Sequence, residues 1–139
     1  MNYIIENGEI RKECNMLRWG AWFECAMRHV ADTTIGEARI STVFLGLDHR
    51  SYYDPDKRPV LFETMIFSKE SIPALDESQW RYRTIEEAKR GHRIVCEQVK
   101  EFYPDKEPVD AECECGRIPI EHVARYSMML AGFGFLDDY

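Results

Sequence analysis

The chain has 139 residues, of which 45% are hydrophobic and 12% aromatic, and it carries a net charge of −7. That length and apolar content suit one domain with its own core and exclude global disorder. No run of about 18 apolar residues predicts a transmembrane helix. The start Met1-Asn2-Tyr3-Ile4-Ile5-Glu6 lacks the basic and long apolar regions of a signal peptide, so a cytoplasmic location is expected.

The charge is unevenly placed. Residues 1–100 hold 15 Lys and Arg against 16 Asp and Glu, whereas residues 101–139 hold 3 against 9. Phosphates require a basic face, so direct nucleic-acid binding is not expected. An acidic segment suits either solvation or a basic protein partner. The five cysteines (Cys14, Cys25, Cys96, Cys113, Cys115) are an odd count in a chain of cytoplasmic type, which argues against structural disulfides. Cys25 and Cys96 fall within apolar helical patterns and read as small core residues.

In chain order, Asn2–Ile5 can form a short edge strand, and Glu6-Asn7-Gly8-Glu9 reads as a turn. Trp19, Trp22, Phe23, Ala26, Met27 and Val30 recur at spacings of three and four, which predicts a helix over about 16–31. Asp32–Glu37 then turns the chain. Ala38–Leu47 is β-branched and aromatic and is apolar on both faces toward its end, as a central strand would be. Asp48–Arg58 is a polar loop, and Val60–Phe67 is a second strand. The loop is too short for a helical crossover, so the two strands pair antiparallel. Gln79–Arg83 reads as a third strand. Thr84 with Glu87 makes a capping box that opens a helix over about 85–103, which Pro104 stops. Gly91 within that helix points to close packing against another element. Asp105–Gly116 is an acidic loop, and Pro119 opens a last helix over about 119–131. The expected fold is α+β: a small antiparallel sheet of three or four strands with about three helices. Residues 1–104 form the core, and residues 105–139 form an acidic loop and a helix packed on it.

No glycine-rich phosphate loop, nucleophile elbow or HExxH stands in the sequence. Cys113-Glu114-Cys115 is not a CxxC, and no second ligand pair follows it at zinc spacing. Neither a metal nor a cofactor is expected. The remaining chemical candidates are Asp48 and His49 after a strand, Glu63 inside one, and His92 on a helix. These residue types suit a divalent metal or general acid–base work. The plainer alternative makes Asp48 a loop cap and the histidines packed polar groups. Glu63 then pairs with Arg81, Arg83 or Arg39, since a carboxylate inside an apolar strand needs a partner.

Part of the chain carries a resemblance. His29-Val30-Ala31-Asp32-Thr33, Ser41–His49 (STVFLGLDH), Leu61-Phe62-Glu63-Thr64-Met65 and Tyr82-Arg83-Thr84, with Glu87-Ala88 and Gly91-His92, resemble a group of small phage and prophage proteins of unassigned activity. The resemblance covers about half the chain, from Trp22 to about Gly91, and leaves out the acidic segment. It implies an accessory phage product and brings no catalytic residues with it. The leading functional expectation is a non-enzymatic inhibitor that occupies a host or defence protein with a basic surface, as an anti-CRISPR or a DNA mimic would. Glu101, Asp105, Glu107, Asp110, Glu112 and Glu114 would be its contacts. The alternatives are a small metal-dependent or acid–base enzyme using Asp48, His49, Glu63 and His92, and a virion structural or assembly protein.

Overall fold

The computed structural model describes residues 1–6, 8–68, 79–111 and 118–119. A first hairpin pairs β1 (Tyr3–Glu6) with β2 (Glu9–Lys12) across Gly8, whose φ of 78° is open only to residues that tolerate the left-handed region. Helix α1 (Met16–Cys25) starts at Asn15, whose side chain accepts from the backbone N–H groups of Leu17 and Arg18. Two residues, Ala26–Met27 (β3), then run extended beside Ile118–Pro119 (β9) in a parallel pair.

The main sheet has five antiparallel strands in the order β7-β6-β5-β4-β8. They are β4 (His29–Ile35), β5 (Ala38–Phe44), β6 (Phe62–Ser68), β7 (Gln79–Tyr82) and β8 (Val109–Asp110). Helix α2 (Ile85–Lys100) lies across one face of it. The α+β class and the antiparallel sheet match the sequence reading. The sheet has five strands where three or four were expected, and two of the expected elements differ.

The predicted helix over 16–31 ends at Cys25, because Ala26 is already extended (φ −80°, ψ 141°) and residues 29–35 are a sheet strand. The β-branched run Thr33-Thr34-Ile35 and the two-residue turn at Gly36-Glu37 override the helical spacing of Met27 and Val30. Gly36 is required there twice over. Its φ is 58°, and a Cβ would sit 2.6 Å from the Tyr103 ring. The second difference is β8, inside what reads as an acidic loop. The predicted helix over 119–131 falls outside the described residues, apart from Pro119, whose backbone is extended in β9.

Alternation along the strands sorts the sheet into two faces. Thr33, Ile35, Ile40, Thr42, Phe44, Phe62, Thr64 and Ile66 point toward α2, and register places Trp80 and Asp110 with them. The opposite face carries Asp32 with Arg39 and Glu63 with Arg81 as ion pairs. On the α2 side there are two apolar clusters. One gathers Trp22, Phe44, Phe62 and Ala88, with the Trp22 and Phe44 rings edge-to-face at 5.5 Å. The other gathers Ile35, Ile40, Val95 and Val99. The buried stripe of α2 reads Ala88, His92, Val95, Val99, so a single imidazole stands between the two clusters.

The α2 start is half the expected capping box. Thr84 Oγ1 accepts from the Glu87 N–H at 3.1 Å, but the Glu87 carboxylate takes the Thr84 hydroxyl proton at 3.0 Å in place of a backbone donor. Gly91 is where α2 meets the ring of Tyr82, and a Cβ there would collide with the ring and its hydroxyl. Gly91→Ala gains about 1 kcal/mol of helix propensity, yet we expect a net loss of about 1–3 kcal/mol from overpacking in urea unfolding. In a Tyr82→Ala background the same change should be neutral or stabilising; a loss that persists without the ring would contradict this account.

Candidate functional site

The most ordered polar arrangement among the described residues is a chain of side chains across the α2 face. Thr64 Oγ1 and Thr42 Oγ1 lie 2.6 Å apart, Thr42 Oγ1 lies 2.7 Å from His92 Nδ1, and His92 Nε2 lies 2.8 Å from Thr33 Oγ1. Thr33 Oγ1 donates to Asp110 Oδ1 at 2.7 Å. His92 is only 5% exposed, and Thr42 and Thr64 are wholly buried.

Proton counting fixes the direction of this chain. A hydroxyl has one proton, and Thr33 gives its own to Asp110. Thr33 must therefore accept from His92, which places the imidazole proton on Nε2. Nδ1 of the neutral ring is then an acceptor, so Thr42 donates to it and in turn accepts from Thr64. Burial pushes the imidazole below its ordinary 6.5, against smaller upward pulls from Asp110 and Asp32. The neutral ring is the form this arrangement suits.

A groove of about 590 Å³ opens beside this chain, between α2 and the β4–β8 edge. Lys89, Arg93, Glu97 and Asp110 bring charge to its walls, and His92 and Cys96 reach its floor. Its size falls in the range of small-molecule sites. Both imidazole nitrogens, however, are committed to threonines, and the Thr33 proton is committed to Asp110. The ring is no free base for a substrate, and Thr33 is no nucleophile activated by it. Burial pushes the Cys96 thiol up, away from the thiolate that nucleophilic chemistry needs.

The four residues singled out as acid–base or metal candidates do not come together. Glu63 points to the sheet face opposite His92, 8% exposed, with its Oε2 accepting from Arg81 Nε at 2.8 Å. Of the three arginines considered for it, Arg81 is the partner. Asp48 caps its loop, accepting from Arg50 N and Val60 N at 2.9 Å each. Burial raises the Asp48 carboxyl, but these hydrogen bonds more than offset it and leave the group below its ordinary value. His49 is exposed, and its backbone N–H donates to Val60 O just before β6. No group of three or more His, Cys, Asp or Glu able to hold a metal occurs among the described residues.

The acidic candidates divide. Glu101, Asp105 and Glu107 are exposed on the connection from α2 to β8. Asp110 is exposed as well, but its Oδ1 accepts from Thr33 Oγ1, a role that sequence reasoning missed because β8 itself was read as loop. Glu112 and Glu114 lie outside the described residues. Among the described cysteines, Cys14, Cys25 and Cys96 form no disulfide. No described helix is long and apolar enough to cross a membrane.

The pH dependence has a definite sign. The unfolded chain binds a proton at His92 more readily than the folded one, so the contribution of this group to stability is full above about pH 6.5 and is lost as pH falls below it. His92→Gln should cost about 1–3 kcal/mol at neutral pH by leaving threonine hydroxyls without a partner. The gap between wild type and variant should narrow from about pH 7.5 to about pH 5 in denaturant unfolding. A gap independent of pH would contradict a buried neutral imidazole.

No protein-family model, curated protein or solved structure matches the chain.

Proposed function

We propose that this chain is a non-enzymatic, phage-type accessory protein that binds a partner with a basic surface through the carboxylates between α2 and β8. In its sharper form the proposal makes the partner a host or defence protein and the chain its inhibitor, with carboxylates standing in for the phosphates of nucleic acid. The observation that carries the reading is the turn after α2. Glu101, Asp105 and Glu107 all face solvent there on a backbone that is held in place. Lys100 Nζ donates to the Pro104 carbonyl at 2.9 Å and also to the Lys106 carbonyl, and Lys106 N donates to Tyr103 O at 3.0 Å. A pre-ordered acidic turn binds without first losing backbone freedom. The committed imidazole beside the groove supports the same reading by removing the most obvious acid–base group.

The test uses the tagged protein against bacterial extracts that contain nucleic-acid-processing and defence proteins. A stoichiometric basic partner should co-purify at about 50 mM salt and be lost at about 500 mM, because rim charges act through screened electrostatics. Glu101→Lys, Asp105→Lys and Glu107→Lys together should abolish its capture while leaving the circular dichroism spectrum unchanged. Capture that survives the triple reversal would refute the acidic-turn reading. Asp110 is left out of this set because its reversal would also disturb Thr33 and His92.

A further inference from the structure

The loop between β5 and β6 is held from within. Asp48 caps it as described above, Asp54 Oδ1 accepts from Asp56 N at 2.9 Å, and Asp56 Oδ1 accepts from Arg58 N at 3.0 Å. The Arg58 guanidinium pairs with the Asp56 carboxylate at 2.8 Å. Arg83, just before α2, ties Asp54 and donates to the Arg58 carbonyl at 3.2 Å. Every carboxylate of the loop is thus engaged by the loop or by Arg83.

What the loop presents outward is Tyr52, 91% exposed, and Tyr53, 89% exposed, and Lys57 is exposed in the same loop. The two rings meet edge-to-face at 5.3 Å and 90°, forming one aromatic knob. Tyrosines on a pre-ordered scaffold are the side chains that anchor protein interfaces, because little freedom remains to be lost on binding.

The other end of α2 offers the complement. Phe102 is 47% exposed between the carboxylates of Glu101, Asp105 and Glu107, and its N–H donates to Val99 O at 3.0 Å. An aromatic knob on a loop that also exposes Lys57 matches an aromatic residue set among carboxylates. The two surfaces lie at opposite ends of a 16-residue helix, about 24 Å apart at about 1.5 Å per residue. One copy cannot close this contact on itself.

The geometry points to a second copy of this chain as the occupant: the Tyr52–Tyr53 loop of one molecule docks on the Glu101–Glu107 turn of the next, head to tail. Such a contact is heterologous and propagates into rings or filaments. Nucleic acid is the poorer occupant, since the chain carries a net charge of −7 and edge-to-face rings leave no parallel pair of faces for a base. The inference rests on the same acidic turn as the proposed function, so a basic partner and a second copy compete for it.

Sedimentation velocity of the purified full chain, over a range of protein and salt concentrations, tests this. Association should rise with concentration and weaken with salt. Tyr52→Ala with Tyr53→Ala should weaken it by at least about tenfold, and Lys57→Glu should weaken it in the same direction. Mixing the Lys57→Glu protein with a Glu101→Lys, Glu107→Lys protein should restore it, because every mixed contact again pairs opposite charges. A chain that stays monomeric, or association indifferent to Tyr52 and Tyr53, overturns the inference. So does a monomer that retains a single-stranded oligonucleotide through those tyrosines. A monomer whose partner capture still depends on Glu101, Asp105 and Glu107 removes this inference alone and leaves the proposed function standing.

Discussion

The buried imidazole of His92 is the constraint on which the rest of the structure depends. It is the one polar side chain in the buried stripe of α2, and the network it belongs to draws Thr33 from β4, Thr42 from β5, Thr64 from β6 and Asp110 from β8. Apolar packing alone tolerates small slips of a helix over a sheet, because one aliphatic contact substitutes for another. A buried imidazole does not, since each partner left unmade costs about 1–3 kcal/mol, a large share of the about 5–15 kcal/mol that keeps a domain folded. The network therefore fixes the register of α2 against the sheet. It also sets the path of the chain after the helix, because Asp110 can reach Thr33 only if β8 lies along the free edge of β4.

That commitment shapes what the surface can do. The groove beside His92 has the volume of a ligand site but presents a ring whose nitrogens are both taken. Exposed aromatic and charged groups stand at the two ends of α2. At one end, ion pairs within the β5–β6 loop leave two tyrosines standing out; at the other, a lysine-braced turn leaves carboxylates standing out. Both surfaces are held by hydrogen bonds and ion pairs within the chain.

Much of the architecture is legible in the sequence where local and global preferences agree. Ala38–Leu47 and Val60–Phe67 read as strands because β-branched and aromatic residues dominate them, and the observed strands Ala38–Phe44 and Phe62–Ser68 lie at those places; Thr84 marks the α2 start through its cap. The Gly91 signal resolves into a specific neighbour, Tyr82. The β4 strand was not legible because Trp22, Ala26, Met27 and Val30 keep helical spacing across the point where the chain turns extended; Thr33-Thr34-Ile35 before Gly36 was the local signal against it. The site was only partly legible. His92 could be named, but its partners could not, since three threonines and an aspartate from four strands share no spacing. They meet only through sheet register, and with β4 and β8 both misread that register could not be built. Glu63 was the odd residue of an apolar strand, and it is accounted for by Arg81 on the neighbouring strand.

The most direct test of the account is the tautomer and titration of His92, read by nitrogen-detected NMR on uniformly labelled protein. The ring is expected to be neutral, protonated at Nε2 and unprotonated at Nδ1, and to titrate below the ordinary 6.5. A ring protonated at Nδ1, or one that titrates as a solvent-exposed histidine does, would contradict the directed hydrogen-bond chain. It would return His92 to the list of groups free to act on a ligand in the groove.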